Sequence, residues 1–265
     1  GGLTDMKYTV GYQYADYGEE SFSDIVMDYS DTIDEVYFAW LNQKSARSPA
    51  AVASGLEADE AKDLLESDLK KIRKRGKRLN LLFNGNCYGA KCISFELKDS
   101  IISTVSHIQE NIGLDGITTT SLFIANIVKE NFPELEVRAS VNMRIGTIQA
   151  MDYVRDIFDS FCFQREYNYD MERLNSASVW CKENGKKICL LANSGCLNFC
   201  SAQIFHDNLV SHLSEIEMEK NCMTFDPVLC RRHYQQHGNG ASFLKNSSWI
   251  RPEDVKHYEG IVPLK

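Results

Sequence analysis

Strand-like and helix-like segments alternate along almost the whole chain, and this alternation restricts the fold more than any other feature. Short runs rich in β-branched and aromatic residues fall at positions 8–12, 34–40, 78–83, 116–119, 136–141, 160–164 and 187–192. Between them lie segments of helical period: one starting near Ser23, then 57–75, 98–111, 122–131, 148–157 and 171–184. In the segment 57–75, Leu64, Leu65, Leu69 and Ile72 form one apolar stripe, and Gly76 follows a basic last turn. Gly113, Pro133 and Gly185 close three of the other helices. Residues 42–55, polar and small, read as a long loop.

Seven or eight such units with short connections predict an α/β fold, a single (β/α)8 TIM-type barrel spanning residues 1–265. An open doubly wound sheet is the alternative. It would carry a glycine-rich turn after its first strand, and Tyr14-Ala15-Asp16-Tyr17-Gly18 stands there instead. The last unit is expected to be incomplete or irregular. Residues 261–264 are the candidate eighth strand, and no helix follows. Either a protein partner or second copy covers that barrel end, or the sequence is trimmed.

A hydrophobic content of 43% supplies a full core. No apolar run approaches the roughly 20 residues that span a bilayer. Residues 1–6 lack the basic and apolar regions of a signal peptide, and 1–5 read as a cloning remnant. The net charge of −8 argues against general nucleic-acid binding. Nine cysteines, an odd number without an export signal, point to reduced thiols in a cytoplasmic protein that does not enter membranes.

In a barrel, chemistry gathers at the C-terminal ends of the strands. Those positions hold Asn84, Asn86 and Cys87 after strand three, and Thr120 and Ser121 after strand four. Strand five gives Arg138 within it and Asn142 and Arg144 at its end. Strand six ends in Arg165-Glu166-Tyr167-Asn168, and strand seven in Asn193. Arg165 and Glu166 either position an anionic or amide-bearing ligand or pair with each other across the barrel mouth. Beyond strand seven a Cys-rich excursion occupies about 194–250, with Cys196, Cys200, Cys222 and Cys230. Four thiolates suit zinc or an iron–sulfur cluster, and the irregular spacing fits a cluster at least as well. Cys162, Cys181 and Cys189 lie inside elements and read as packing, while Cys87 and Cys92 remain open. His206 follows Cys200 closely and is the leading candidate among the histidines. His107, mid-helix, reads as structural. The basic run 70–78 reads as a solvated helix end, with an RNA or acidic-peptide contact as the minority alternative.

Four segments share an order with a known family: residues 34–38, Arg165-Glu166, 191–208 with its Cys196-Leu-Asn-Phe-Cys200 motif, and 249–254. The chain resembles the collagenase-like peptidases, peptidase family U-thirty-two. The resemblance implies a TIM-type barrel. It also implies a 4Fe–4S cluster, carried here by Cys196 and Cys200 with Cys222 and Cys230 completing it; zinc stays the alternative that four thiolates allow. The expected function is then an iron–sulfur enzyme carrying out oxygen-independent hydroxylation or another redox modification of a larger substrate, a peptide or modified RNA, with Arg165, Glu166 and His206 at the site. A peptidase acting on peptides or proteins is the alternative, and a non-catalytic metal-binding subunit is a third. For the peptidase the sequence offers no Gly-x-Ser-x-Gly elbow and no His-Glu-x-x-His helix. Cys200 with His206 is a conceivable pair, but cluster ligation would consume the thiolate.

Overall fold

The computed structural model describes residues 6–16, 18–46, 55–237, 240–263 and 265. The expectations placed on residues 1–5, on most of the 42–55 loop and on Leu264 lie outside the described residues. Seven strands follow one another in sequence order in a single sheet, β1 (Tyr8–Gly11), β2 (Ile33–Ala39), β3 (Arg78–Phe83), β4 (Gly116–Thr119), β5 (Glu136–Ala139), β6 (Ser160–Cys162) and β7 (Lys187–Cys189). Every neighbouring pair is parallel. The helices between them are α1 (Phe22–Asp28), α2 (Ala58–Lys74), α3 (Phe95–Asn111), α4 (Leu122–Asn131), α5 (Ile148–Tyr153) and α6 (Met171–Glu183). Beyond β7 come α7 (Gln203–Ser211), α8 (Leu213–Met218), α9 (Leu229–His237) and α10 (Gly240–Asn246).

Local chemistry explains where these helices begin and end. The hydroxyls of Ser94, Ser121 and Thr147 accept the backbone N–H groups of Leu97, Ile124 and Ala150, capping α3, α4 and α5. Phe95 begins α3 directly after its Ser94 cap, three residues before the position the apolar period marks. At the other end, Gly113 takes φ +97 and its N–H returns to Ile108, a geometry that L side chains resist. The sixth and seventh strands are shorter than the sequence suggests, ending at Cys162 and Cys189; beyond β7, Leu190 to Ala192 stay extended against the last described residues.

The sheet has two different faces. Val36, Phe38, Leu79, Leu81, Phe83, Ile117, Val137, Phe161 and Ile188 point outward and share one core with Leu65, Leu69, Ile101, Val105, Ile124, Val128 and Leu174 of the helices. The opposite face carries Glu35, Asn80, Thr118, Arg138 and Ser160, all buried. Its contacts prove the curvature. Arg138 on β5 donates to Glu35 on β2 at 2.5 and 3.0 Å. Two intervening strands at about 4.8 Å spacing would hold these residues far apart in a flat sheet. The sheet is therefore curled around a polar interior.

The curl does not close as a complete (β/α)8 barrel among the described residues, and the last unit is irregular. No eighth strand is formed there. Instead, the Leu190 N–H donates to the Pro263 carbonyl, Lys265 donates back to Leu190, and Ala192 donates to Lys265. This alternation is a parallel ladder beside the continuation of β7, at the place of an eighth strand. The Lys265 ammonium enters the interior and lies 4.0 Å from the Tyr37 ring centroid on β2. A cleft of about 330 Å³ between Met6, Lys7 and residues 259–263 separates this segment from the start of β1. The edge is thus partly covered by the chain's own last described residues.

One glycine makes the strand spacing possible. A Cβ on Gly116 of β4 would lie 2.6 Å from the Glu136 carbonyl oxygen on β5. Gly116→Ala is expected to lower stability by about 1–3 kcal/mol, read from the urea unfolding midpoint, because backbone rather than a flexible side chain must yield.

Candidate functional site

The mouth of the curled sheet is built by the loops after β3, β5, β6 and β7 and by α7, which lies across them. Arg165 and Glu166 sit there as expected but do not pair with each other. The Arg165 guanidinium donates to Asn142 Oδ1 at 3.2 Å, to Ser194 Oγ at 3.2 Å and to Cys196 Sγ at 3.5 Å. Glu166, buried to 2% side-chain exposure, receives Arg144 at 3.1 Å, and the same Arg144 nitrogen reaches Gln203 Oε1. Consecutive side chains of a tight turn point apart, so each finds a partner on a different loop.

Arg144 and Phe199, the non-glycine residues with positive φ among those described, both stand at this mouth, at +55° and +53°. Held strain of this kind costs on the order of 1 kcal/mol and concentrates at functional sites. Asp207 also belongs here; it lies in the family-like segment 191–208 but is not among the expected site residues. It sits one turn beyond Gln203 on α7, and Asn86 Nδ2 donates to it at 3.4 Å. Burial raises its pKa, and Arg165, Gln203, His206 and Arg144 only partly oppose this. The i, i+4 spacing of Gln203, Asp207 and Ser211 was the available signal: these three form the inward stripe of α7, and Ser211 Oγ accepts the Asn86 N–H at 2.8 Å. The Asn86 side-chain oxygen is buried without a hydrogen-bond partner among the described residues. Thr120 and Ser121 are structural: the first bonds the Gly85 carbonyl and the second caps α4.

The cysteines divide. Cys162 and Cys189 face each other across β6 and β7, buried in the interior. Their thiols share a hydrogen bond that favours a proton on Cys189 and a thiolate on Cys162; burial opposes that charge, and Lys265 and Arg138 support it. They are interior polar groups as well as packing. Cys196, Cys200 and Cys230 share one neighbourhood. Burial raises the Cys230 pKa first, and the charges of Cys196 and Cys200 raise it further. Cys222 is exposed on the stretch between α8 and α9. Among the described residues no three His, Cys, Asp or Glu side chains converge as a metal site requires.

His206 lies on α7 beside Asp207, and His107 binds Glu66 at 2.8 Å, a structural role as expected. Within the basic run 70–78, Arg73 pairs with Asp115, Lys77 donates to the Ser30 carbonyl, and Arg78 pairs with Glu136 at 3.2 Å.

No protein-family profile matches this chain. It is 23% identical over 201 residues to an uncharacterized protease of Methanocaldococcus jannaschii, a match covering 76% of this chain and 58% of that protein. The chain thus spans little more than half the length of this relative. Its fold is similar to the solved structure of the U32 peptidase Mk0906, with a TM-score of 0.67 at 14% identity, over 100% of this chain and 94% of that one. The two findings bear out the resemblance to peptidase family U-thirty-two read from the four sequence segments. No helix among the described residues is long and apolar enough to cross a membrane.

Proposed function

We propose that this chain is a peptidase acting on peptides or proteins, with the barrel mouth as its substrate site. The observation that carries the reading is similarity along most of the chain to a relative named a protease, joined to a fold shared with a U32 peptidase. The mouth suits the task chemically. Arg144 is one-third exposed, backed by buried Glu166, and offers a fixed guanidinium to a peptide carbonyl or carboxylate. The side chains of Asn86, Asn142 and Gln203 surround it with amide groups able to bond a peptide backbone.

Hydrolysis of a mixed peptide library, followed by mass spectrometry of the products, tests the reading; intact peptides after prolonged incubation would overturn it. Arg144→Gln is expected to raise KM about 10-fold with little change in kcat, the loss of one charge-assisted hydrogen bond made equally in the ground and transition states. An unchanged KM would remove Arg144 from substrate binding.

The iron–sulfur reading, with hydroxylation of a larger substrate, draws on the shared neighbourhood of Cys196, Cys200 and Cys230. Iron and sulfide content after anaerobic purification decides it. With no three donors converged, no step is assigned to such a centre.

A further inference from the structure

Beside the mouth, at the end of β3, lies a second group of side chains drawn from three separate parts of the chain. Cys87 and Gly89 come from the loop after β3. Lys44 comes from the loop after β2. His212 and Glu215 come from the junction of α7 and α8. The Gly89 N–H donates to Cys87 Sγ at 3.4 Å, and a Cβ on the same Gly89 would lie 3.7 Å from His212 Cε1, so the imidazole stands beside the thiol loop. Glu215 Oε2 bonds His212 Nδ1. Lys44 Nζ donates to Glu215 Oε1 at 2.7 Å and to the Ser211 carbonyl at 3.2 Å, and it stands 3.1 Å from His212 Nδ1.

The backbone makes this convergence possible. A Cβ on Gly85 would lie 2.9 Å from Lys44 Cβ, so only glycine lets the β2 and β3 loops touch. Gly89 takes φ +63, which turns its N–H back to the sulfur. A groove of about 450 Å³ opens alongside, lined by Asn42, Lys44, Tyr88, Gly89, His212 and Glu215. That volume lies in the range of ligand sites.

We infer that Cys87, His212 and Glu215 form a nucleophile, base and orienting carboxylate for acyl transfer from a peptide bond. The inference rests on the peptidase reading for its substrate class and deepens it. A thiol bonded to an imidazole whose other contact is a carboxylate is the arrangement that activates sulfur at neutral pH. A buried structural thiol or an isolated surface cysteine lacks such a setting, whereas Cys87 is half-buried on the loop beside His212, and His212 in turn bonds Glu215. The electrostatics agree. The His212 bond and then the Gly89 N–H lower the Cys87 pKa against a smaller burial effect, with Lys44 adding to the lowering. Cys87 and Glu215 raise the His212 pKa, against burial and the Lys44 charge.

In the step itself, the Cys87 thiolate attacks the scissile carbonyl carbon. As the tetrahedral intermediate collapses, the carbon–nitrogen bond breaks and the amine leaves with the proton that His212 carries. A thioester remains on Cys87. Neutral His212 then takes a proton from water as its oxygen attacks the thioester carbon, and the carbon–sulfur bond breaks. The carboxylic acid departs, and the thiolate–imidazolium pair is restored.

Alkylation by iodoacetamide, mapped residue by residue by mass spectrometry in the full chain, tests this. Exposed Cys92 and Cys222 serve as internal references. At about pH 6.5, Cys87 is expected to react at least ~10-fold faster than either, because an ordinary thiol near pKa 8.5 is about 1% thiolate there. His212→Gln is expected to bring Cys87 down to the reference rate, and Glu215→Gln to move it part of the way. Cys87→Ala is expected to abolish peptide hydrolysis with the thermal midpoint little changed. Ordinary Cys87 reactivity, or reactivity indifferent to His212→Gln, overturns the inference. Hydrolysis that survives Cys87→Ala also overturns it and leaves the peptidase reading standing. A fast, His212-dependent Cys87 in a protein that cleaves no peptide supports the activated thiolate and overturns the peptidase reading.

Discussion

Glu35→Ala is expected to destabilise the protein by about 3–5 kcal/mol, the cost of leaving a buried charge without its partner. Arg138 is 8% exposed and Glu35 3% exposed, and two hydrogen bonds join them across the curled interior. Without Glu35 the guanidinium keeps only Glu136 at 3.1 Å and a weak bond to Ser160 at 3.3 Å. Glu136 and Ser160 offset only part of the desolvation cost of the buried guanidinium. A loss of this size lowers the melting temperature by roughly 10 °C in a domain of this length. The double variant Glu35→Leu/Arg138→Met is expected to recover most of the stability, since paired charges and well-packed apolar groups in a core are often nearly equivalent. If Glu35→Ala and the double variant melt alike, the pair is not a unit. A related acid dependence follows from Glu136. Burial alone would raise its pKa, but Arg138 and the bonds from Lys187 and Ser160 more than offset this and hold it at about 2. The folded value lies below the unfolded one, so this contribution is present above the ordinary carboxylate range and fades as pH falls toward about 2. Glu136→Gln is expected to flatten that part of the stability–pH curve.

Phe161→Ala is expected to cost a similar 3–5 kcal/mol, for a different reason. Phe161 points outward from β6, is fully buried, and packs against Phe158 at 6.4 Å and Trp180 at 6.3 Å between ring centroids. Strand and α6 are both anchored elsewhere, so the cavity left behind cannot collapse completely. Phe95 provides the contrast. It is 86% exposed at the start of α3, and Phe95→Ala is expected to change stability by less than about 0.5 kcal/mol. Urea denaturation of the two variants side by side checks both, and equal losses would mean that the outer face of β6 is not core.

The strand and helix sites were legible because their causes are local. The stripe of Leu65, Leu69 and Ile72 and the glycine after α3 each act within a few residues. Polar residues inside strands were harder to read. Glu35, Asn80, Arg138 and Ser160 alternate with apolar neighbours, as they would on a solvent-facing sheet, yet they are buried. Only the curl turns that face into an interior and brings β5 to β2. The strand-end rule placed Arg165, Glu166 and Cys87 at the mouth, but their partners lay beyond its reach. Arg165 and Glu166 looked like a pair because they are adjacent, and the turn sends them to Asn142 and Arg144.

By itself, the sequence determined a succession of parallel βα units and the end of the sheet where its reactive side chains gather, since hydrophobic period, caps and turn residues act at short range. Tertiary structure alone decided that the curl brings Glu35 to Arg138 across two strands, and that the loop of Cys87 comes beside His212 and Glu215 from distant parts of the chain. Contacts of that range depend on how loops cross once the sheet has bent, and no spacing of residue types encodes their geometry.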